Sequence, residues 1–154
     1  MADVAVAGTA LVLASPVLAL AAVAVRLTSR GPVLYRQARV GSGGEDFELL
    51  KLRTMVDGAE TQGAGFAVNR DDPRITRVGR VLRRLSLDEL PQLWNVLRGD
   101  MSVIGPRPTL RYQVERYTPR QMRRLEVKPG ITGWAQVHGR AALPWADRID
   151  LDIW

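Results

Sequence analysis

Residues 85–108 read LSLDELPQLWNVLRGDMSVIGPRP, and the rest of the chain is organised around them. Leu90, Leu93, Trp94 and Leu97 recur at i, i+3, i+4 and i+7, the period of a helix that buries one face. Gly99 is a natural stop for it. Its start has two readings. Ser86 and Glu89 fit a capping box, whereas a start near Asp88 puts Pro91 among the donors that a first turn leaves free. Either way Asp88 and Glu89 fall in the first turn, directly after a segment crowded with arginine.

Acids in a first turn complement the helix dipole and commonly do nothing else. The same position suits chemistry. A helix N-terminus and neighbouring guanidinium groups lower a carboxylate's pKa, keeping it anionic as a nucleophile or metal ligand. They also supply donors for phosphate. Downstream, Gly105-Pro106-Arg107-Pro108 fixes an arginine between two prolines, which suits bidentate phosphate contact better than a mobile surface charge.

Working outward toward the N-terminus, Asp71-Asp72-Pro73 reads as a helix start. Ile75, Val78, Leu82 and Leu85 form an apolar stripe behind it. Arg74, Arg77, Arg80, Arg83 and Arg84 recur as a ladder on the other face. Gly79 costs such a helix about 1 kcal/mol relative to alanine. Residues 58–69 read as a flexible polar loop. Residues 33–40 and 47–52 read as two strands of a hairpin around Gly41-Ser42-Gly43-Gly44. Lys51 and Arg53, two apart at the end of the second strand, would share a face.

Residues 4–25 carry no charge and are long enough to cross a bilayer. Arg26 and Arg30 follow the run, which holds what comes next on the cytoplasmic side. A signal peptide would place its positive charge ahead of the apolar run, where this chain has only Asp3. Pro16 removes a helix donor and predicts a bend, with the Ser15 hydroxyl a candidate partner for the freed carbonyl. The physics leaves open a kinked spanning helix or a broken one that enters one leaflet and returns.

Beyond Pro108, residues 110–127 look helical and basic, interrupted at Thr118-Pro119. Residues 128–140 show no helical period and read as a shaped loop. Tyr112, Tyr117 and Met122 could pack against the core or rest at a membrane interface, core packing being the default. The chain has 154 residues, no cysteine, one histidine and a net charge of +6. Disulfides and thiolate metal sites are therefore excluded, and an anionic partner is expected. Nucleic acid would account for the charge but not for an uncharged N-terminus. A non-catalytic membrane scaffold would account for both but leave Asp88 and Glu89 as a cap.

The blocks KLRTM (51–55), DPRITRVGRVLRRLSLDELPQLWNVLRGDMSVIGPRP (72–108) and KPGITGWAQVHGR (128–140) resemble the bacterial sugar transferases. More specifically they resemble the monotopic polyprenyl-phosphate phosphoglycosyl transferases, over nearly the whole chain. The resemblance implies an α+β fold, mainly helical, with a re-entrant Ser-Pro-broken membrane helix, a small β-hairpin and packed amphipathic helices. Residues 1–30 would be the membrane segment and residues 31–154 a catalytic domain on the cytoplasmic face of the bacterial inner membrane. The implied reaction transfers a sugar 1-phosphate from a nucleotide diphosphate sugar, usually a uridine one, to undecaprenyl phosphate. This begins exopolysaccharide, capsule or lipopolysaccharide synthesis.

In that reading Asp88 attacks the sugar-proximal phosphate and becomes a covalent phospho-sugar intermediate, while Glu89 helps hold Mg²⁺. Lys51, Arg53, Arg83, Arg107 and Arg140 are the cations expected to contact substrate. Relatives usually carry basic residues before the apolar run and continue past Asp152-Ile153-Trp154. The resemblance therefore implies a further C-terminal segment with its own acidic residue.

Overall fold

The computed structural model describes residues 2–62, 71–138 and 144–153. The chain opens with a long helix, α1 (Ala2–Thr28), then a two-stranded hairpin, β1 (Leu34–Val40) and β2 (Asp46–Leu52). Next come α2 (Arg77–Arg84), a tight 3₁₀ turn at Leu87–Glu89, and α3 (Gln92–Arg98). A short strand β3 (Ser102–Ile104) leads to α4 (Arg111–Val114) and α5 (Pro119–Met122). Then follow β4 (Gly130–Thr132), α6 (Trp134–Val137) and α7 (Trp145–Ile153). This is a mainly helical α+β architecture with a small hairpin, as the sequence predicts.

Two compact units share these elements. One comprises residues 1–10, 36–49 and 92–154; the other comprises residues 11–35 and 50–91. The hairpin tip belongs to the first and its base to the second.

In the second unit, Ala21 and Val25 of α1 pack with Leu52 and Leu82, joined by Leu18, Val33, Val78 and Leu87. Each such fully buried Val or Leu contributes about 1.5–3 kcal/mol. α2 begins later than the sequence predicts. Asp71-Asp72-Pro73 lies outside the helix, and Thr76 caps it by accepting from the Gly79 amide at 2.9 Å. Gly79 has a tertiary reason. A Cβ there would sit 1.9 Å from the Thr54 carbonyl oxygen, so only glycine lets α2 approach that backbone. The apolar stripe runs out early, since Leu85 is 60% exposed.

α1 runs through Pro16 within a single helical element. The carbonyl that a proline at 16 leaves without its amide is that of Val12, four residues back. Ser15 Oγ donates to that oxygen at 2.8 Å. The predicted compensation is present, and it lets the helix continue.

In the first unit, Val40, Val114 and Leu125 form a small core with Tyr117 against it, while Tyr112 and Met122 are exposed rather than core. The expected helix over residues 110–127 resolves into two short helices and a 3₁₀ turn. Thr118 caps α5 in a capping box with Gln121, and Pro119 opens the helix. Within the expected 128–140 loop, residues 128–138 hold more regular structure than a loop. β4 pairs in parallel with β3, Ser102 opposite Gly130 and Ile104 opposite Thr132, and α6 follows. Gly130 meets Gly105 so closely that a Cβ would lie 2.1 Å from the Gly105 amide nitrogen. Two motifs far apart in sequence are therefore laid backbone to backbone.

Candidate active site

Five of the seven site residues expected from the sequence belong to the unit that holds residues 50–91: Lys51, Arg53, Arg83, Asp88 and Glu89. β2 delivers Lys51, α2 delivers Arg83, and the 3₁₀ turn carries both acids. The turn is not part of α3, which begins only at Gln92. The acids thus do not sit on a long helix's N-terminus, and the dipole argument lapses. Pro91 sits in the linker between the turn and α3. α3 then ends at Arg98 before Gly99, whose φ of 87° is left-handed, as expected of a stop. Trp94, predicted to be buried, is 50% exposed; the buried α3 positions are Gln92, Leu93, Asn95 and Val96.

Ser86 enters the turn at φ 57°, ψ 20°, the one positive-φ residue other than glycine among the described residues. A left-handed L-residue costs about 1–2 kcal/mol. That strain sits immediately ahead of the two acids, where strained backbone often accompanies function.

Lys51 Nζ donates to Glu89 Oε1 at 2.9 Å, with both side chains mostly buried. Asp88 is 8% exposed. Burial pushes its carboxyl above the ordinary carboxylate value and the Glu89 charge adds to this, while the Lys51 and Arg83 charges pull it down. The net direction is upward, opposite to the sequence expectation. Desolvation outweighs the nearby cations because removing a carboxylate from water penalises its charged form. Arg83 is itself shifted down by burial, with Asp88 drawing it back.

What aims Arg83 was not legible. Its Nε donates to Thr54 Oγ1 at 2.8 Å. The buried Thr54 also accepts, through its carbonyl, the Thr76 amide at 3.0 Å and lies under Gly79. One threonine of KLRTM thus docks α2 and orients its arginine. A Thr at a strand end carries no periodic signal, so nothing in the sequence marked it.

Two arginines turn out otherwise than the sequence implied. Arg53 is 6% exposed, and its Nη2 donates to the Ser29 carbonyl at 2.8 Å and to Ser29 Oγ at 2.9 Å. It fastens the end of α1. Arg74 leaves the exposed ladder altogether. Its Nε and Nη2 grip both carboxylate oxygens of Asp72, at 2.9 and 2.6 Å, while Nη1 donates to the Ala59 and Gln62 carbonyls.

Arg107 belongs to the other unit. It is exposed, and its carbonyl accepts from Arg124 Nη2 at 2.9 Å. Arg124 is in turn paired with Asp152. Arg140 lies outside the described residues. Among the described residues, no group of three or more His, Asp or Glu side chains gathers as a metal cage. The two oxygen donors of the turn fit a hard divalent ion that takes its other ligands from phosphate and water, the usual habit of Mg²⁺.

Compared with known proteins, residues 1–154 match the family described as bacterial sugar transferase. The sequence is 50% identical over 130 residues to the uncharacterized sugar transferase EpsL of Bacillus subtilis, covering 84% of this chain and 63% of that one. It is 51% identical over 154 residues to a UDP-N-acetylgalactosamine-undecaprenyl-phosphate N-acetylgalactosaminephosphotransferase of Aeromonas hydrophila, covering 97% and 36%. It is 50% identical over 143 residues to a UDP-glucose:undecaprenyl-phosphate glucose-1-phosphate transferase of Caulobacter vibrioides, covering 89% and 52%. The chain therefore spans between about a third and two thirds of these relatives' lengths.

Proposed function

The chain belongs to the bacterial sugar transferase family, and from that premise we propose that it moves a sugar 1-phosphate from a nucleotide diphosphate sugar to undecaprenyl phosphate. The donor is a UDP-sugar, the nucleotide named for two of the relatives. The product begins a surface polysaccharide: exopolysaccharide, capsule or lipopolysaccharide.

Asp88 is the nucleophile. A carboxylate oxygen forms a bond to the sugar-proximal phosphorus, the bond from that phosphorus to the nucleotide's bridging oxygen breaks, and nucleoside monophosphate leaves. An oxygen of undecaprenyl phosphate then attacks the same phosphorus and releases the Asp88 carboxylate. The observation that carries this reading is the setting of Asp88, a buried carboxyl with raised pKa between the Lys51–Glu89 pair and Arg83. A poorly solvated carboxylate is more basic and sheds less water when it attacks.

Lys51 and Arg83 are the cations of this unit best suited to the phosphates. Arg107 and Arg140 are proposed phosphate contacts on the family resemblance. Arg53 acts instead by holding the end of α1. Glu89 would hold Mg²⁺ with substrate oxygens, exchanging its bond to Lys51. That ion supplies neutralisation of the diphosphate and of the leaving group.

The acceptor's lipid character agrees with α1, a helix long and apolar enough to cross a membrane. It is about 40 Å long at 1.5 Å per residue. Near its start Asp3 accepts from Ser102 Oγ at 2.8 Å, and Ala7 is fully buried. Near its end Ala21 and Val25 are packed in the core described above. Its exposed residues, Leu13 and Leu20 at 73% among them, give it an apolar side. This supports membrane association; that α1 enters one leaflet with the remaining chain on the cytoplasmic face is proposed on the family resemblance and on Arg26 and Arg30 after the apolar run.

The deciding experiment omits the acceptor. Protein is incubated with Mg²⁺ and a UDP-sugar isotopically labelled in the sugar-proximal phosphate, and its peptides are analysed by mass. A sugar-phosphate adduct on Asp88 is expected. No adduct, in a preparation that releases nucleoside monophosphate once undecaprenyl phosphate is added, would overturn the covalent step.

A further inference from the structure

The arginine between two prolines stands on a loop that is held along its backbone. Pro106 and Pro108 are buried, while Arg107 between them is exposed. Each carbonyl of residues 106–109 has a donor. Pro106 O accepts the Gly130 amide at 2.8 Å, and Thr109 O accepts the Val40 amide at 2.9 Å. Pro108 O accepts from Arg39 Nη1 at 3.2 Å. The Arg107 carbonyl differs in that its donor is a deeply buried charge: Arg124, which gives Nη2 at 2.9 Å, is 6% exposed.

Arg124 lies in the 3₁₀ turn Arg123–Leu125 that follows α5. Besides that carbonyl it reaches two groups from other segments. Nη1 donates to Tyr117 Oη at 2.6 Å, and Nη2 donates to Asp152 Oδ2 of α7 at 2.5 Å. Tyr117 Oη in turn donates to Thr109 Oγ1 at 3.2 Å, back in the same loop. The Asp152 side chain is as deeply buried as Arg124. Burial pushes its carboxyl upward, against the pull of the Arg124, Arg148 and Arg107 charges. A buried ion pair is a poor source of stability, because the hydration lost by both ions offsets their attraction. Its effect here is directional. A guanidinium carries its donors in one rigid plane, so anchoring it on Tyr117 and Asp152 fixes where it holds the Arg107 carbonyl. Pro108 already biases Arg107 away from helical backbone. The carbonyl bond then holds the peptide plane within that range, and with it the direction in which the Arg107 side chain leaves the loop.

We propose that Arg124, set in place by Asp152 and Tyr117, is a positioning residue that aims Arg107 at the diphosphate of the nucleotide donor. This rests on the reading of Arg107 as a phosphate contact given above. It goes further by naming three residues that act through Arg107 without touching substrate, one of them on α7. Bidentate contact with phosphate demands a fixed guanidinium direction, and the buried pair supplies it from behind the loop.

The test titrates the full chain, in detergent with Mg²⁺, with UDP alone and reads binding by calorimetry, so no turnover is needed. Arg107→Ala should weaken UDP binding by about tenfold, the scale of one hydrogen bond to a charged group. Removing Arg124 by itself would strand Asp152 as a buried unpaired charge. The paired variant Arg124→Met/Asp152→Asn removes both charges together and leaves the Arg107 carbonyl without its donor. It should melt within about 5 °C of the parent and bind UDP about fivefold more weakly. Adding Arg107→Ala to that pair should give binding no weaker than Arg107→Ala alone, because the network acts only through that side chain.

A paired variant that binds UDP as tightly as the parent, or losses that multiply when Arg107→Ala is added, overturns the positioning role and leaves Arg107 standing as a phosphate contact. A paired variant that no longer melts cooperatively also overturns it, since the network then holds the fold and not one arginine. If Arg107→Ala binds UDP like the parent, or the parent binds no UDP, the donor reading of Arg107 fails and takes this inference with it. The aspartyl adduct is read in a separate experiment, so its failure would be seen independently.

Discussion

Asp72 and Asp88 are buried to the same extent, each 8% exposed, yet their carboxyls move in opposite directions. Asp72 is gripped on both oxygens by Arg74 and also accepts the Arg74 amide at 3.0 Å, and it is held down at about 2 from an ordinary 3.8. Asp88 has cations near it too, but they are anchored elsewhere, Lys51 on Glu89 and Arg83 on Thr54. Burial then dominates and the carboxyl rises. Burial alone says little about an acid's role. What separates the clamped Asp72 from the proposed nucleophile Asp88 is whether the neighbouring cation bonds directly to the carboxylate.

The strongest way to break this contrast is to neutralise each acid. Asp88→Asn should lower nucleoside monophosphate release by about a thousandfold or more, the scale of losing a nucleophile. Its melting temperature should hold or rise, because a poorly solvated charge has gone. If the variant keeps a tenth of the activity, Asp88 is not the nucleophile.

Asp72→Asn should do the reverse. The buried Arg74 loses its counter-charge, and the melting temperature should fall by on the order of several degrees. The folded fraction should still turn over. A variant as stable as the parent would show that the clamp contributes nothing.

A smaller effect is expected where a cation is aimed without touching either acid. Thr54→Val keeps the shape of the side chain but removes the acceptor for Arg83 Nε. The turnover number should drop by about tenfold, the scale of one hydrogen bond to a charged group. KM should change less, and Thr54→Ser should recover most of the loss. Equal losses in the valine and serine variants would mean that Thr54 only packs.

The subtlest difference lies in pH. Asp72 has a depressed pKa, so its contribution to stability is present above 3.8 and is lost as pH falls from there toward 2. Asp88 has a raised pKa, so the unfolded chain ionises first. Stability is lost as pH rises from 3.8 through the folded value. Melting temperature followed against pH should lose its acid-side fall in Asp72→Asn and its rise-side loss in Asp88→Asn. Adduct formation should decline as pH falls through the raised Asp88 value.

Much of this was legible because it is local. The apolar run of α1, the Ser15 compensation for Pro16, the hairpin, the stop at Gly99 and the interruption at Thr118-Pro119 each depend on residues a few places apart. So does the adjacency of Asp88 and Glu89. Helix boundaries were less legible: α2 starts at Arg77 rather than after Pro73, and the acids occupy a separate turn before α3. Arg74 and Arg77 look alike in a ladder of arginines. Only the return of the chain at Ala59 and Gln62 gives one of them buried carbonyl partners. Trp94 and Leu85 fit a buried stripe by spacing but are exposed, since spacing gives a face without saying what covers it.

By itself the sequence determined the family, the membrane helix, the two acids and the supply of cations around them. These are properties of residue order and short-range periodicity. The tertiary structure decided which arginines are fasteners and which face outward. It decided that Thr54 orients Arg83, that the Gly105 and Gly130 motifs lie against each other, and that Asp88 is raised rather than lowered. Those outcomes depend on the loss of water around each charge and on partners tens of residues away, which no local pattern encodes.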